Sequence, residues 1–282
     1  MIRIGLGGWG DHDVLYPPKT PAAQKLSVYA RHFPAVEVDS SFYAVLGQAT
    51  YQRWIDQTPD SFTFILKAYQ GMTGHTRGEI PFSSAGEMFE AYLHSIAPMA
   101  ASGRMQAVLF QFPPWFDCTP DHVRQLRAVR KRMEGLPAAL EFRHRSWFSE
   151  EYKERTLDFM REEGWIHIVC DEPQAGEGSV PTVLEPAVPE LTIVRMHGRN
   201  TSAWNKSGAP NWREVRYLYD YSREELAGWV TNLEMLQDKG ARNISMIFNN
   251  NSGGHAAPNA RLMMDLLGQK AAELPPEQID LF

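Results

Sequence analysis

Eight short runs of apolar, β-branched and aromatic residues recur along this 282-residue chain, and no other feature restricts its fold as strongly. Most stretches between the runs have the spacing of amphipathic helices. Near-continuous apolar strands that alternate with helices are typical of a parallel sheet covered by helices. The runs are residues 2–6, 35–39, 62–67, 107–111, 138–142, 166–171, 191–197 and 244–249.

The number of these strand and helix units favours a closed barrel over an open sheet, and the chain length is typical of that fold. We predict an α/β protein with one domain, a (β/α)₈ TIM barrel, over residues 1–270. The tail over residues 271–282 contains prolines and charged residues, and we predict that it is extended and flexible. The long segment over residues 197–222 is predicted to fold over the barrel mouth.

Charge, hydropathy and cysteine usage exclude several classes of protein. A net charge of −6 argues against a broad electrostatic contact with nucleic acid, although it allows a local basic cleft. No apolar segment reaches the roughly 18 residues of a membrane span, and the N-terminus lacks the pattern of a signal peptide. Cys118 and Cys170 are too few for a disulfide framework. We therefore expect a cytoplasmic protein that does not bind a membrane.

Side-chain alternation predicts that polar residues line the inner face of the barrel near the C-terminal ends of the strands. In the sixth strand, this reading places Asp171 inside and Cys170 outside. Barrel interiors usually hold branched apolar residues, and active sites lie at the C-terminal rim. The alternative is an ion-pair network that only closes the top of the barrel. The residues predicted to face inward are Glu37, Asp39, Lys67, Gln111, Glu141, Arg143, Asp171, Arg195, His197 and Asn249.

A series of short motifs in a fixed order resembles the YecE-like family, also called domain of unknown function 72. They are Gly7-Gly8-Trp9-Gly10, Val36-Glu37-Val38-Asp39-Ser40-Ser41-Phe42-Tyr43, Gln111-Phe112-Pro113-Pro114, Glu141-Phe142-Arg143-His144, Arg195 with His197-Gly198, and Phe248-Asn249-Asn250. The resemblance spans nearly the whole chain and implies a TIM-barrel fold. It implies no established activity.

The inward-facing residues include groups suited to acid–base chemistry. Neighbouring carboxylates have their pKa values pushed apart, which supplies one acid and one base, and histidine titrates near neutral pH. His144 has the wrong orientation for the lumen and is interpreted as structural. No tight metal-ligand spacing is present, so no metal is predicted, and any cofactor is unknown. The candidate catalytic residues are Glu37, Asp39, Lys67, Glu141, Asp171 and His197.

Arginines and the last two loops are predicted to hold phosphate. Arginine binds phosphate through paired hydrogen bonds, and barrels often hold phosphate between the last two strand-to-helix loops. The alternative for the last loop is a helix start capped by Asn251 or Ser252, with glycines that only turn the chain. The candidate substrate- or phosphate-binding residues are Trp9, Arg143, Arg195, Arg199, Asn249, Asn250, Asn251, Ser252, Gly253 and Gly254.

Aromatic residues are frequent in the loops that follow the predicted strands. Aromatic rings at a barrel mouth can stack on nucleobases or sugars, and the arginines near them favour a ligand that carries phosphate. The alternative is that the rings pack the loops onto the barrel. The loop aromatics are Trp9, Trp115, Trp147, Trp204 and Trp212, together with Phe42, Tyr43 and Tyr69.

The chain ends in a short pattern that resembles the motif by which bacterial proteins bind the DNA sliding clamp. In that motif a Leu-Phe pair fills an apolar pocket of the clamp. The alternative is that Leu281 and Phe282 fold back onto the barrel. The candidate partner-binding residues are Gln278, Asp280, Leu281 and Phe282.

Three functional hypotheses follow from these features. The first is a hydrolase of phosphodiester or glycosidic bonds that acts on a phosphate-bearing substrate, nucleic acid in particular, and is recruited by the sliding clamp. The second is an isomerase or hydrolase of a sugar or sugar phosphate. The third is a non-catalytic adaptor for nucleic acid or for the clamp.

Overall fold

Eight parallel strands close into a barrel in chain order, as the sequence predicts. The computed structural model describes residues 1–75, 79–202, 204 and 215–269. The first and last strands pair from Ile2 with Ile244 to Leu6 with Phe248, which closes the sheet. The strands are β1 (Ile2–Gly7), β2 (Ala35–Val38), β3 (Thr63–Lys67), β4 (Met105–Gln111), β5 (Ala138–Glu141), β6 (Ile166–Asp171), β7 (Thr192–Met196) and β8 (Ile244–Phe248).

A helix follows every strand except β6, which joins β7 through residues 172–191 without one. Side-chain caps fix where several of the helices begin. Ser84 and Thr119 each accept a hydrogen bond from the main chain of the first helical turn, and Ser222 forms a capping box with Glu225. The helices are α1 (Lys25–Tyr29), α2 (Ser40–Tyr43), α3 (Gln48–Asp56), α4 (Ala85–Ala101), α5 (Pro120–Arg132), α6 (Lys153–Glu163), α7 (Arg223–Asp238) and α8 (Ala256–Leu266).

The lower part of the lumen contains a small polar layer rather than apolar side chains alone. Gln106 donates to Thr63 at 2.6 Å and accepts from Ser245 at 2.5 Å, so three strands are bridged across the interior. On β1, Gly5 is required by space, because a Cβ there would lie 2.4 Å from the carbonyl oxygen of Ala35. The lower part of the lumen is therefore filled by side chains that bond to one another.

The predicted orientation of strand β6 is wrong. The Cys170 thiol faces the lumen, within 4.8 Å of ligand atoms of Glu141 and His197. The Asp171 carboxylate points to the outer layer, where it accepts from the indole of Trp229 on α7 at 2.6 Å. Every residue of Ile166–Asp171 is buried, and both polar residues, His167 and Asp171, lie on one face, so alternation could not show which face is the lumen.

The described ranges contain no helix that is long and apolar enough to span a membrane. The candidate clamp-binding residues Gln278, Asp280, Leu281 and Phe282 lie outside the described residues, as does Trp212.

Candidate functional site at the barrel mouth

Buried charged side chains from four strands converge at the C-terminal end of the barrel. Glu37 lies on β2 and Arg195 on β7, while Glu141 ends β5. Arg143, Glu172 and His197 follow strands β5, β6 and β7 by one or two residues. All are between 0 and 4% exposed, although charged groups are rarely buried unless they are paired. We call this set the ionic cluster: Glu37, Glu141, Arg143, Glu172, Arg195 and His197.

Arg195 joins two carboxylates across the lumen. Its Nε and Nη2 atoms donate to the two oxygens of Glu37 at 2.8 and 2.5 Å, a bidentate pair. Its Nη1 atom donates to Glu141 Oε2 at 2.5 Å and to Gln111 Oε1 at 3.2 Å. Arg195 therefore holds the ends of β2, β4 and β5 together from β7.

Arg143 forms the second centre of the ionic cluster. Its Nη1 atom donates to Glu172 Oε2 at 2.6 Å, and its Nη2 atom lies 2.6 Å from Glu141 Oε1. The other oxygen of Glu172 accepts from the main-chain N–H of Val180 at 2.6 Å. Glu141 therefore lies between two guanidinium groups, while Glu172 shares only one of them.

His197 is a neutral hydrogen-bonding member of the ionic cluster. Its Nε2 atom lies 2.8 Å from Arg143 Nη2 and 3.4 Å from Arg195 Nη1. Guanidinium groups only donate, so Nε2 presents its lone pair to Arg143, while Nδ1 lies 3.1 Å from Asn249 Nδ2. Burial and the two arginines hold the pKa of His197 well below its usual value. A proton-transfer role at neutral pH, as predicted for His197, would require this arrangement to change.

The three carboxylates have different proton affinities. Burial opposes the ionisation of Glu141, but Arg143 and Arg195 outweigh it and hold its pKa well below the usual range. Burial raises the pKa of Glu37, which Arg195 only partly offsets. Burial also raises the pKa of Glu172 to about 7, against the opposing effects of Arg143 and the Val180 N–H. Glu172 is thus a carboxyl group of the ionic cluster that titrates close to neutral pH.

A second ion pair lies between the ionic cluster and solvent. Lys67 Nζ is 3.3 Å from Asp39 Oδ1, with side-chain exposures of 14% and 38%. The same ammonium group lies 4.8 Å from the ring centre of Phe42. Lys67 and Asp39 are therefore at the mouth, as predicted, and they are the candidate catalytic side chains that solvent reaches directly.

Part of the segment over residues 197–222 covers the mouth, as predicted. The rings of Trp204 and Tyr217 lie 6.3 and 6.2 Å from the His197 ring. Arg216 lies over the Trp204 ring at 4.2 Å, and Arg143 lies 5.5 Å from the same ring centre. Trp204 is 2% exposed, so in this conformation the ionic cluster is closed from above.

A surface cavity lies beside the residues that follow β6, although the Glu172 side chain itself is fully buried. It has a volume of about 460 Å³, and its lining includes Glu172, Thr182 and Arg199. Arg199 is also held by Asp171 at 2.6 Å and by Glu225 at 3.0 Å. Asp171 does not join the ionic cluster, and Arg199 would have to leave two carboxylates to bind phosphate.

Contacts with neighbouring segments explain why several residues of the loop after β8 are present. Asn250 donates to the carbonyl of Tyr219, and Asn251 donates to the carbonyl of Gly7. A Cβ on Gly253 would lie 2.7 Å from the Leu218 side chain, whereas the space beside Gly254 is open. These contacts favour a structural role for the loop, but the predicted cap is wrong, because the helix begins after His255 without a side-chain cap. The phosphate-binding role of Asn249–Gly254 stays a prediction.

The aromatic residues of the loops divide into two groups. Trp147 stacks on Phe142 at 4.1 Å, Trp9 packs edge-on against Trp54, and Tyr69 is 5% exposed. These three rings pack the loops onto the barrel, and a role for Trp9 in binding substrate stays a prediction. By contrast, Tyr43 and Trp115 are largely exposed at the mouth.

The arrangement of Glu141, Cys170 and His197 does not favour a metal ion. Their ligand atoms lie within 4.8 Å of one another, which is close enough for a shared ion. However, Arg143 and Arg195 contact both Glu141 and His197, and they would repel a cation. Burial also raises the pKa of the Cys170 thiol well above its usual value, so the thiolate that metals prefer is disfavoured.

Sequence reasoning missed two members of the mouth. Glu172 comes directly after the last predicted strand residue, where alternation no longer indicates direction. His75 lies in the loop after β3, and burial together with Lys67 and Arg143 lowers its pKa to about 4. The only signal for Glu172 was its place just beyond a strand, whereas His75 lies beyond the turn Gln70–Thr73 and had none.

Comparison with known proteins agrees with the fold. A family model described as "Protein of unknown function DUF72" matches residues 3–280. The UPF0759 protein YunF of Bacillus subtilis (strain 168) is 54% identical over 283 residues, covering 100% of both chains. The UPF0759 protein YecE of Escherichia coli (strain K12) is 28% identical over 164 residues, or 56% of this chain and 54% of that protein.

Solved structures resemble the whole barrel. A crystal structure of a DUF72 family protein from Enterococcus faecalis V583 has a TM-score of 0.91 and 35% identity, covering 99% of this chain and 100% of that one. A DUF72 family protein from Thermotoga maritima MSB8 has a TM-score of 0.80 and 28% identity, covering 95% and 100%. The family description states no activity.

Proposed function

This chain belongs to the DUF72 family, and from the geometry of its barrel mouth we propose that it binds a phosphate-bearing ligand there. The proposal rests on one observation: several cations converge on buried carboxylates, and two of those carboxylates have raised pKa values. Burial raises the pKa of both Glu37 and Glu172. The converging cations are Lys67, Arg143, Arg195 and Arg216.

Protonation of one carboxyl group would change the charge of the mouth. The four cations equal in number the carboxylates that face them, which are Glu37, Asp39, Glu141 and Glu172. A proton on Glu172 therefore leaves the mouth with net positive charge and removes the anionic partner of Arg143 Nη1. A phosphate oxygen is the kind of acceptor that a guanidinium group then binds best.

We extend the proposal to hydrolysis of phosphodiester or glycosidic bonds, with nucleic acid among the substrates. Glu172 is the carboxyl group suited to general acid–base work, since its pKa of about 7 is close to the working pH. Glu141 and His197 would act as fixed partners that hold the arginines. A screen on abasic, nicked and modified DNA and on sugar phosphates should show turnover that Glu172→Gln removes. Absence of turnover on every substrate contradicts this extension but not ligand binding.

Binding itself is tested with a matched pair of lysine variants. Lys67 lies at the mouth, whereas Lys239 pairs with Glu185 at the opposite end of the barrel. Titration of inorganic phosphate, a sugar phosphate and a nucleotide at low salt should show binding that Lys67→Met weakens by about 10- to 150-fold, the equivalent of one charged hydrogen bond. Lys239→Met should bind as the wild type does. Equal binding by both variants contradicts the proposal.

We also propose that the C-terminal motif binds a bacterial sliding clamp. The support is the sequence from Gln278 to Phe282, with a Leu-Phe pair at the end of a polar tail. A pull-down with the intact chain should recover the clamp, and a chain that lacks residues 278–282 should not. Recovery of the clamp by both chains contradicts the proposal.

A further inference from the structure

A row of ring side chains borders one side of the barrel mouth. Tyr43 and Phe42 lie on α2, His75 follows β3, and Trp115 follows β4. Successive ring centroids are 5.2, 5.3 and 6.1 Å apart, each pair in an edge-to-face arrangement. We call these four residues the aromatic row. It joins three strand-to-helix connections into one continuous surface.

The ends of the aromatic row are exposed to an unusual degree. Tyr43 is 61% exposed and Trp115 is 54% exposed, and they are the only aromatic residues among the large exposed hydrophobic side chains of the described ranges. Packing of the loops does not explain rings that keep most of their surface in water. Exposed aromatic surface next to a candidate ligand site is typical of a surface that binds a partner.

The aromatic row is continuous with the cations of the mouth. Lys67 Nζ lies 4.8 Å from the centre of the Phe42 ring and is also paired with Asp39. His75 is neutral at physiological pH, because burial and the nearby cations lower its pKa to about 4. The row therefore presents uncharged planar rings beside an ammonium group. A ligand that matches this surface combines a flat ring with a phosphate.

We propose that the aromatic row stacks the base of a nucleoside phosphate whose phosphate group lies at Lys67. The inference rests on the proposed function, since it uses the same mouth and names the class of ligand. Nucleobases have a π-face that stacks on Trp and Tyr whatever the base sequence. The base can belong to a free nucleotide or to a unit of a single-stranded nucleic acid, which present the same chemistry.

Three probes and four proteins test this inference. The probes are adenosine 5′-monophosphate, ribose 5-phosphate and a short single-stranded thymidine oligonucleotide, titrated calorimetrically at low salt. The proteins are the wild type, Trp115→Ala, Trp115→Phe and Tyr152→Ala. Tyr152 is the matched control, since it lines the groove between α5 and α6 on the outside of the barrel.

The wild type should bind adenosine monophosphate roughly 5- to 150-fold more tightly than ribose 5-phosphate, the effect of stacking one base. Trp115→Ala should remove that preference, while Trp115→Phe and Tyr152→Ala should keep it. Tighter binding of the oligonucleotide than of the nucleotide assigns the ligand to a strand, and the reverse assigns it to a free nucleotide. Equal binding of the nucleotide and the sugar phosphate, unchanged in Trp115→Ala, overturns the inference and leaves the phosphate site standing. No binding of any probe overturns the proposed function and this inference together.

Discussion

Replacing Arg195 by methionine should destabilise the barrel far more than the loss of an ordinary ion pair. Arg195 is 1% exposed and neutralises Glu37 through two hydrogen bonds and Glu141 through a third. Methionine has a similar length but leaves Glu37 buried without its hydrogen-bonded counter-charge. Removal of one partner of a buried pair costs about 3–5 kcal/mol, because the remaining charge is desolvated and uncompensated. For a chain of this size that corresponds to a fall in Tm of roughly 6–20 °C.

Thermal and urea unfolding at neutral pH measure this loss. Arg127→Met is the matched control, since Arg127 is 54% exposed and pairs with Glu163 at 2.8 Å on the surface. Such a pair contributes about 0–1 kcal/mol. Adding Glu37→Gln to Arg195→Met should recover part of the loss, because one uncompensated charge is removed. If Arg195→Met loses no more stability than Arg127→Met, the ionic cluster is not the closed, mutually neutralised network described above.

Two further predictions concern a titration and a turn. The folded pKa of Glu172, about 7, exceeds its ordinary value of 4.5, so the protonated group contributes stability that is lost as pH rises through 7. The free energy of unfolding of the wild type, measured in urea, should therefore fall relative to that of Glu172→Gln, by up to about 3 kcal/mol between pH 4.5 and a pH above 7. A difference between the two proteins that stays constant with pH would contradict the raised pKa. Gly198 and Gly254 have φ angles of 83° and 76°, but a Cβ would lie 2.5 Å from Tyr219 only at Gly198. Gly254→Ala should lower the free energy of unfolding by about 1–2 kcal/mol, the cost of a left-handed backbone at a residue other than glycine. Gly198→Ala should lower it by more. Equal losses in the urea assay would show that Tyr219 moves aside.

The fold could be predicted because its signal is local and repeated. Each strand of a parallel barrel is buried on its outer face, so apolar runs recur along the chain independently of which strand pairs with which. The same property explains the error on β6. Where a strand is buried on both faces, as in Ile166–Asp171, a polar face that carries His167 and Asp171 can lie outside the lumen.

The set of residues at the mouth could be predicted better than their contacts. Glu37, Glu141, Arg195 and His197 meet as alternation indicates, since strand ends share one rim of the barrel. Glu141 pairs with both Arg143 and Arg195, one at each oxygen. This arrangement depends on distances across the lumen, and no local sequence pattern reports such distances. The proton affinities of Glu141 and Glu172 differ for the same reason, because only the structure shows how many cations each carboxylate meets.

The aromatic residues show the limits of composition as a guide to function. Trp147 and Trp115 both follow strands and look equivalent in the sequence. The structure buries Trp147 against Phe142 and leaves Trp115 exposed at the mouth. Exposure depends on the loops that fold over each ring, and these contacts join residues far apart in the chain.

Proton uptake on ligand binding is the most direct test of the central claim, that an anion binds beside Arg143 and competes with Glu172. Titration calorimetry with a phosphodiester ligand near pH 7, in two buffers of different ionisation enthalpy, measures the protons exchanged. The wild type should take up a fraction of one proton per ligand, because the anion raises the proton affinity of Glu172, and Glu172→Gln should take up none. Failure of the wild type to bind, or the same uptake in both proteins, would contradict the account.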